Sequence, residues 1–99
     1  MNAVGLKNFT EQVLNSPEPV LVDFWANYCA PCVALKPILK EVAATGAKVV
    51  TVDITEEPEI AAHYGITVIP TLIVFKGGEA GQRVVGLRKK DELLQLISA

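Results

Sequence analysis

Only two cysteines and one histidine occur in the 99 residues of this chain. A structural zinc site takes about four nitrogen or sulfur ligands. Cys29, Cys32 and His63 supply three, and neither a second CxxC nor an HxxxH pair is present, so no metal is expected. Charge of one sign is also scarce. Nine basic residues stand against eleven acidic ones, scattered along the chain for a net charge of −2, and no basic stripe offers itself to nucleic acid. No apolar run approaches the roughly 20 residues that cross a bilayer. The start, Met1 to Leu6, lacks the basic, apolar and cleavage regions of a leader, so a cytoplasmic location is expected. Linkers, repeats and low-complexity tracts are missing, and residues 1–99 read as a single domain. Apolar residues make up 51% of the chain, enough for one core of modest stability without a metal or a disulfide staple.

What the chain does have is Cys29-Ala30-Pro31-Cys32, directly after the apolar run Val20 to Ala26. A disulfide across that spacing closes a loop too short to stabilise much, about 2 kcal/mol against roughly 4.7 for a 100-residue loop. As a redox couple the pair is well placed. Residues three apart at a helix start are neighbours on one face, and a disulfide needs Cα atoms about 4.4–6.8 Å apart. The spacing therefore points to thiol–disulfide chemistry.

The order of elements can be read around that pair. Phe9, Val13 and Leu14 predict a helix over residues 8–15, which Pro17 and Pro19 end. Val20 to Ala26 reads as a strand apolar on both faces, as a central strand is. Val33, Leu35, Ile38, Leu39, Val42 and Ala43 predict a helix of about fifteen residues, kinked at Pro37 and ended by Gly46. Lys48 to Ile54 is a second strand, expected to pair in parallel with the first. A short helix, Pro58 to Tyr64, closes at Gly65. Thr71 to Phe75 and Gln82 to Val85 predict a hairpin through Gly77-Gly78, and Lys89 to Ile97 a final amphipathic helix. The expected fold is α/β: a central mixed β-sheet flanked by helices on both faces.

With these residues in view, the chain resembles the thioredoxin family over essentially its whole length. The match is carried by Val22-Asp23-Phe24-Trp25-Ala26, Cys29-x-Pro31-Cys32, Pro37 and Tyr64-Gly65-Ile66, then Ile69-Pro70-Thr71-Leu72, Phe75-Lys76-Gly77-Gly78 and Gly86. The resemblance implies the thioredoxin fold and a cofactor-free protein-disulfide reductase. Its partners would be disulfide-containing client proteins and a thioredoxin reductase, and the chain would be monomeric.

The chemistry assigns roles to individual residues. Cys29 at the mouth of the long helix meets unpaired N–H groups and the positive dipole end, which favour the nucleophilic thiolate. Cys32, one turn inside, would resolve the mixed disulfide. Asp23 is the odd residue of an apolar strand, and burial should raise its pKa towards neutrality. The resemblance places it beneath Cys32 as proton acceptor. It also implies a cis Ile69–Pro70 bond, a client chain pairing with the Ile69 backbone, and a docking patch of Trp25, Tyr28, Ala30, Pro31, Ile69, Pro70 and Gly86.

Some positions depart from the family. Tyr28 and Ala30 stand where the usual motif has Trp and Gly, and Val33 where a basic residue is common. Thr51 takes the place of a buried lysine, so Asp23 should be raised further. These changes bear on reductase recognition and leave open a reductase of an atypical kind. Two other functions fit the same residues: an oxidant or isomerase of an oxidising compartment, and a non-catalytic binding module.

Overall fold

The computed structural model describes all residues, 1–99. Its centre is β2, Val20–Trp25, paired in parallel with β3, Lys48–Asp53, and antiparallel with β4, Thr71–Lys76. A two-residue β1, Asn2–Ala3, extends the sheet beyond β3, and β5, Glu79–Val85, extends it beyond β4, giving the order β1-β3-β2-β4-β5. The mixed sheet agrees with expectation. β1 carried no sequence signal, since two exposed small or polar residues show no period; the edge of β3 recruits them, and Val4 N–H donates to Thr51 O at 2.8 Å.

Alternation along β2 sorts the core into two layers. Val20, Val22 and Phe24 join Val50, Val52, Ile73 and Phe75 on one face. That face is covered by Phe9 and Val13 and by Ile60 of α2, Pro58–His63. Leu21 joins Val49, Leu72 and Val74 on the other. There α1, Ala30–Ala44, supplies Leu35, Leu39 and Val42, and α3, Lys90–Ser98, supplies Leu93. Each such side chain contributes about 1.5–3 kcal/mol by leaving water. Asp23, Trp25, Thr51 and Asp53 share the second face by the same alternation, so the polar positions of β2 and β3 look towards α1.

Two details differ from the sequence expectation. The predicted 8–15 helix is a π-helical turn, Thr10–Leu14, in which Asn15 N–H reaches back five residues to Thr10 O at 2.8 Å. Apolar spacing reports the buried face, and that face is as expected; it does not report the hydrogen-bond register. α1 runs through Pro37 to Ala44, the fifteen residues expected, and Pro37 is exposed, so water can take the carbonyl that the ring leaves without a donor. β5 begins at Glu79 rather than Gln82. The hairpin loop is thus Gly77-Gly78 alone, with φ of +58° and +82°, as a two-residue turn with both central residues at positive φ requires. One extra residue on β5 opposite Val74 forms a bulge at Gly81, the one glycine of the strand.

The two turn glycines differ in their surroundings. A Cβ on Gly78 would sit 2.9 Å from Leu14 O, whereas one on Gly77 would meet nothing within 4 Å. Gly78→Ala should therefore cost about 2 kcal/mol or more, from the left-handed backbone plus the collision, and Gly77→Asn under about 1 kcal/mol. Urea denaturation of the two variants checks this; equal losses would mean that the approach of the hairpin to the π-helical turn does not matter.

Candidate functional site

β2 ends at Trp25, and the chain turns through Ala26 to Tyr28 so that Cys29 N–H donates to Ala26 O at 3.2 Å. Cys29 is the N-cap of α1, with extended backbone at φ −99° and ψ 108°. Its Sγ accepts a hydrogen bond from Cys32 N–H at 3.2 Å, so sulfur takes the place of the usual capping oxygen. Pro31, in the first turn of α1, has no N–H to leave unpaired. Cys29 and Cys32 form a disulfide with Cα atoms 5.2 Å apart. The two sulfurs are not equivalent: Cys29 keeps 9% of its surface exposed and Cys32 none.

The pairing of β4 with β2 brings a second segment to the same place. Phe24 is opposite Thr71, so the residues before Thr71 lie beside the end of β2. The Ile69–Pro70 bond is cis, and the Ile69 carbonyl lies 3.7 Å from Cys29 Sγ. Thr71 Oγ1 donates back to Val68 O and ties the loop down. Val85 is opposite Thr71 at the end of β5, and Gly86 N–H donates to Pro70 O at 2.9 Å. Cys29, Ile69, Pro70 and Gly86, distant in sequence, thus meet at one end of the sheet. Trp25 is half-buried beside them, and Ala30 and Pro31 are exposed. Tyr28, 71% exposed, makes no hydrogen bond within the protein.

Sequence reasoning left out part of this surface. Seven large apolar residues are exposed in the whole chain, and five of them (Tyr28, Val33, Val68, Val85 and Leu87) lie on the three segments that converge on Cys29. Val68 and Leu87 adjoin residues already singled out, which was the available signal. Residues 26–34, 66–71 and 84–87 contain no Asp, Glu, Lys, Arg or His. The cysteines therefore open onto an uncharged, apolar rim.

Asp23 is 1% exposed, and neither carboxylate oxygen has a hydrogen-bond partner. Thr51 is opposite it on β3 and Leu72 on β4. Desolvation dominates and raises its pKa from 3.8 to about 7, with the charge of Lys36 pulling in the opposite direction. The expectation of a strongly raised carboxyl agrees with this environment.

A buried, unpartnered carboxylate in the strand before the cysteines, a disulfide at a helix N-terminus and a cis-proline loop against the outer sulfur define a thiol–disulfide oxidoreductase. Comparison with known proteins agrees. The thioredoxin family model matches residues 1–99. A thioredoxin of Rickettsia bellii is 46% identical over 95 residues, covering 93% of this chain and 90% of its own. A thioredoxin of Mycobacterium tuberculosis is 44% identical over 94 residues, covering 92% and 81%, and thioredoxin 1 of a Nostoc species is 46% identical over 92 residues, covering 90% and 86%. The chain belongs to the thioredoxin family.

Asp23 also makes stability depend on pH. Its folded pKa lies above the unfolded value, so the folded state holds a proton that the unfolded state has already lost between about pH 4 and pH 7. Stability is undiminished by this residue below about pH 4 and falls as pH rises towards 7, by roughly 4 kcal/mol in all. Asp23→Asn should remove that slope: its stability relative to the parent should improve by about 4 kcal/mol between pH 4 and pH 8. Denaturation at a series of pH values checks this, and parallel curves would mean that Asp23 stays ionised in the fold.

Proposed function

We propose that this chain, acting as one monomeric domain in the cytoplasm, reduces disulfides of client proteins through Cys29 and is regenerated by a thioredoxin reductase. The carrying observation is the inequality of the two sulfurs. Cys29 keeps 9% of its surface in contact with solvent and its Sγ lies against the Ile69 carbonyl, while Cys32 is fully enclosed. An incoming disulfide can reach only the first.

In the reduced protein the Cys29 thiolate attacks one client sulfur, the client disulfide breaks, and a client thiolate leaves. A mixed disulfide joins Cys29 to the client. The Asp23 carboxylate then takes the proton of the Cys32 thiol, and the resulting thiolate attacks Cys29 Sγ. The Cys29–client bond breaks, and the second client sulfur leaves as a thiolate that water protonates. Two electrons pass from the dithiol to the client, and the Cys29–Cys32 disulfide is the oxidised product. A carboxyl with a pKa of about 7 is half ionised at neutral pH, which suits it to accept and return that proton. The reductase returns two electrons.

Client recognition rests on the rim. The cis-proline loop offers the backbone of the half-buried Ile69 to an extended client segment, and Trp25, Tyr28, Ala30, Pro31 and Gly86 provide contact area, while Pro70 is buried and shapes the loop rather than the surface. Val33, Val68, Val85 and Leu87 widen that patch. Without charge on these segments, docking should be nearly independent of ionic strength. Val33 and Tyr28 bear on the reductase in the same way, and an atypical reductase fits an uncharged rim.

Cys32→Ser should accumulate mixed disulfides with clients, whereas Cys29→Ser should form none; trapping through Cys32 instead would reverse the roles. Association of Cys32→Ser with an apolar disulfide peptide should change less than twofold between 50 mM and 500 mM salt. The reduction potential of the couple, followed by Trp25 fluorescence in a dithiothreitol series, should fall near the family's reference value of about −270 mV. A potential near −180 mV, the range of isomerases and oxidants, would replace the reductant assignment.

A further inference from the structure

Asp23 needs a compensating charge, and its own strand and β3 supply none at close range. Leu21 and Trp25 are its neighbours on the α1-facing side of β2, and Thr51 stands opposite on β3. β4 presents Leu72 and Val74 to this layer, and α3 presents Leu93. Asp53 is opposite Trp25, and the Thr55 hydroxyl, which donates to it at 2.6 Å, holds that carboxyl below its usual range. The remaining groups come from α1: the enclosed sulfur of Cys32 and, one turn further on, Lys36.

Lys36 is fixed in place by a particular contact. Its Nζ sits 3.4 Å from the centroid of the Trp25 ring, a cation–π contact. Trp25 is two residues after Asp23 on the same face of β2, so the clamp holds the ammonium on the side of the sheet where the unpartnered carboxylate is buried. The half-buried stem of Lys36 leaves little freedom to leave the ring.

We propose that Lys36, clamped on the face of Trp25, is a positioning residue for the second half of the reaction: it places a positive charge beside Asp23 and so keeps a usable fraction of that carboxyl ionised to receive the Cys32 proton. Of the charged side chains, it is the one that lowers the carboxyl's proton affinity. Trp25 thereby serves both as a wall of the client surface and as the seat of the cation. This role deepens the function proposed above and rests on Asp23 acting as the base for Cys32.

The test separates the two claims. The Asp23 carboxyl is titrated by carbon-13 NMR in the oxidised protein, in the parent, Lys36→Met and Lys36→Arg; Met keeps the aliphatic stem over Trp25 and removes the charge. Lys36→Met should raise the titration midpoint by about one pH unit, a tenfold change in proton affinity, and Lys36→Arg should stay near the parent. The pH profile for resolution of a preformed mixed disulfide should move by the same amount. At pH 7 this would slow resolution about fivefold, as the carboxylate fraction falls from a half to about a tenth. In an Asp23→Asn background, Lys36→Met should have no further effect on that step. An unmoved Asp23 midpoint in Lys36→Met would overturn the proposal. A moved midpoint with an unmoved resolution profile would uphold the Lys36–Asp23 coupling and overturn the base role of Asp23 instead.

Discussion

β2 is hydrogen-bonded on both edges and packed on both faces, and the positions of the other parts follow from that. With β3 on one side and β4 on the other, its end at Trp25 becomes the launching point of α1, and the start of β4 is brought alongside. The redox disulfide and the cis-proline loop are therefore neighbours because two strands of opposite direction share one central partner. A register slip of one residue would turn Asp23 to the other layer and Phe24 towards α1. The alternating apolar residues of β2 prevent it, since a slip would put the carboxylate among Phe9, Val13 and Phe75.

The same strand explains why an apolar core contains a carboxylate at all. A buried carboxylate lacking hydrogen bonds destabilises the fold, and here both oxygens of Asp23 lack them. The pairings that enclose it are strong enough to tolerate this, and the result is an acid that titrates near neutrality. With Asp23 as the proposed proton acceptor, stability is given up at the point where the chemistry needs one, an exchange common at functional sites. Lys36 moderates that cost without ending it, because its ammonium is engaged by the Trp25 ring and makes no hydrogen bond to the carboxylate oxygens.

The site divides into a protected half and an open half. Cys32 and Asp23 lie within the layer between sheet and α1, where water is excluded and proton affinities shift. Cys29, Tyr28, Ala30 and Pro31 lie at its edge, continuous with Val68, Val85 and Leu87. This division is what the proposed roles require: one sulfur to meet a macromolecular partner, the other to react only within the chain.

From its residues alone this sequence determined a two-cysteine couple at a helix start, a doubly buried strand before it, and a mixed sheet with helices on both faces. Each of these is written in local spacing: thiols three positions apart, period two in the strands, near four in the helices. It also marked Asp23 as anomalous, because a lone acid in an apolar run has no exposed side to occupy. The tertiary structure alone decided the rest. β1 exists because β3 has a free edge, and the π-helical turn and the start of β5 depend on how those segments meet the sheet. The family resemblance, rather than spacing, had suggested the cis Ile69–Pro70 bond, since that isomer is a minority state held by its surroundings. Nothing in the sequence singles out Lys36, and only the packing of α1 over β2 seats it on Trp25. Such contacts join residues far apart in the chain, and no local pattern encodes them.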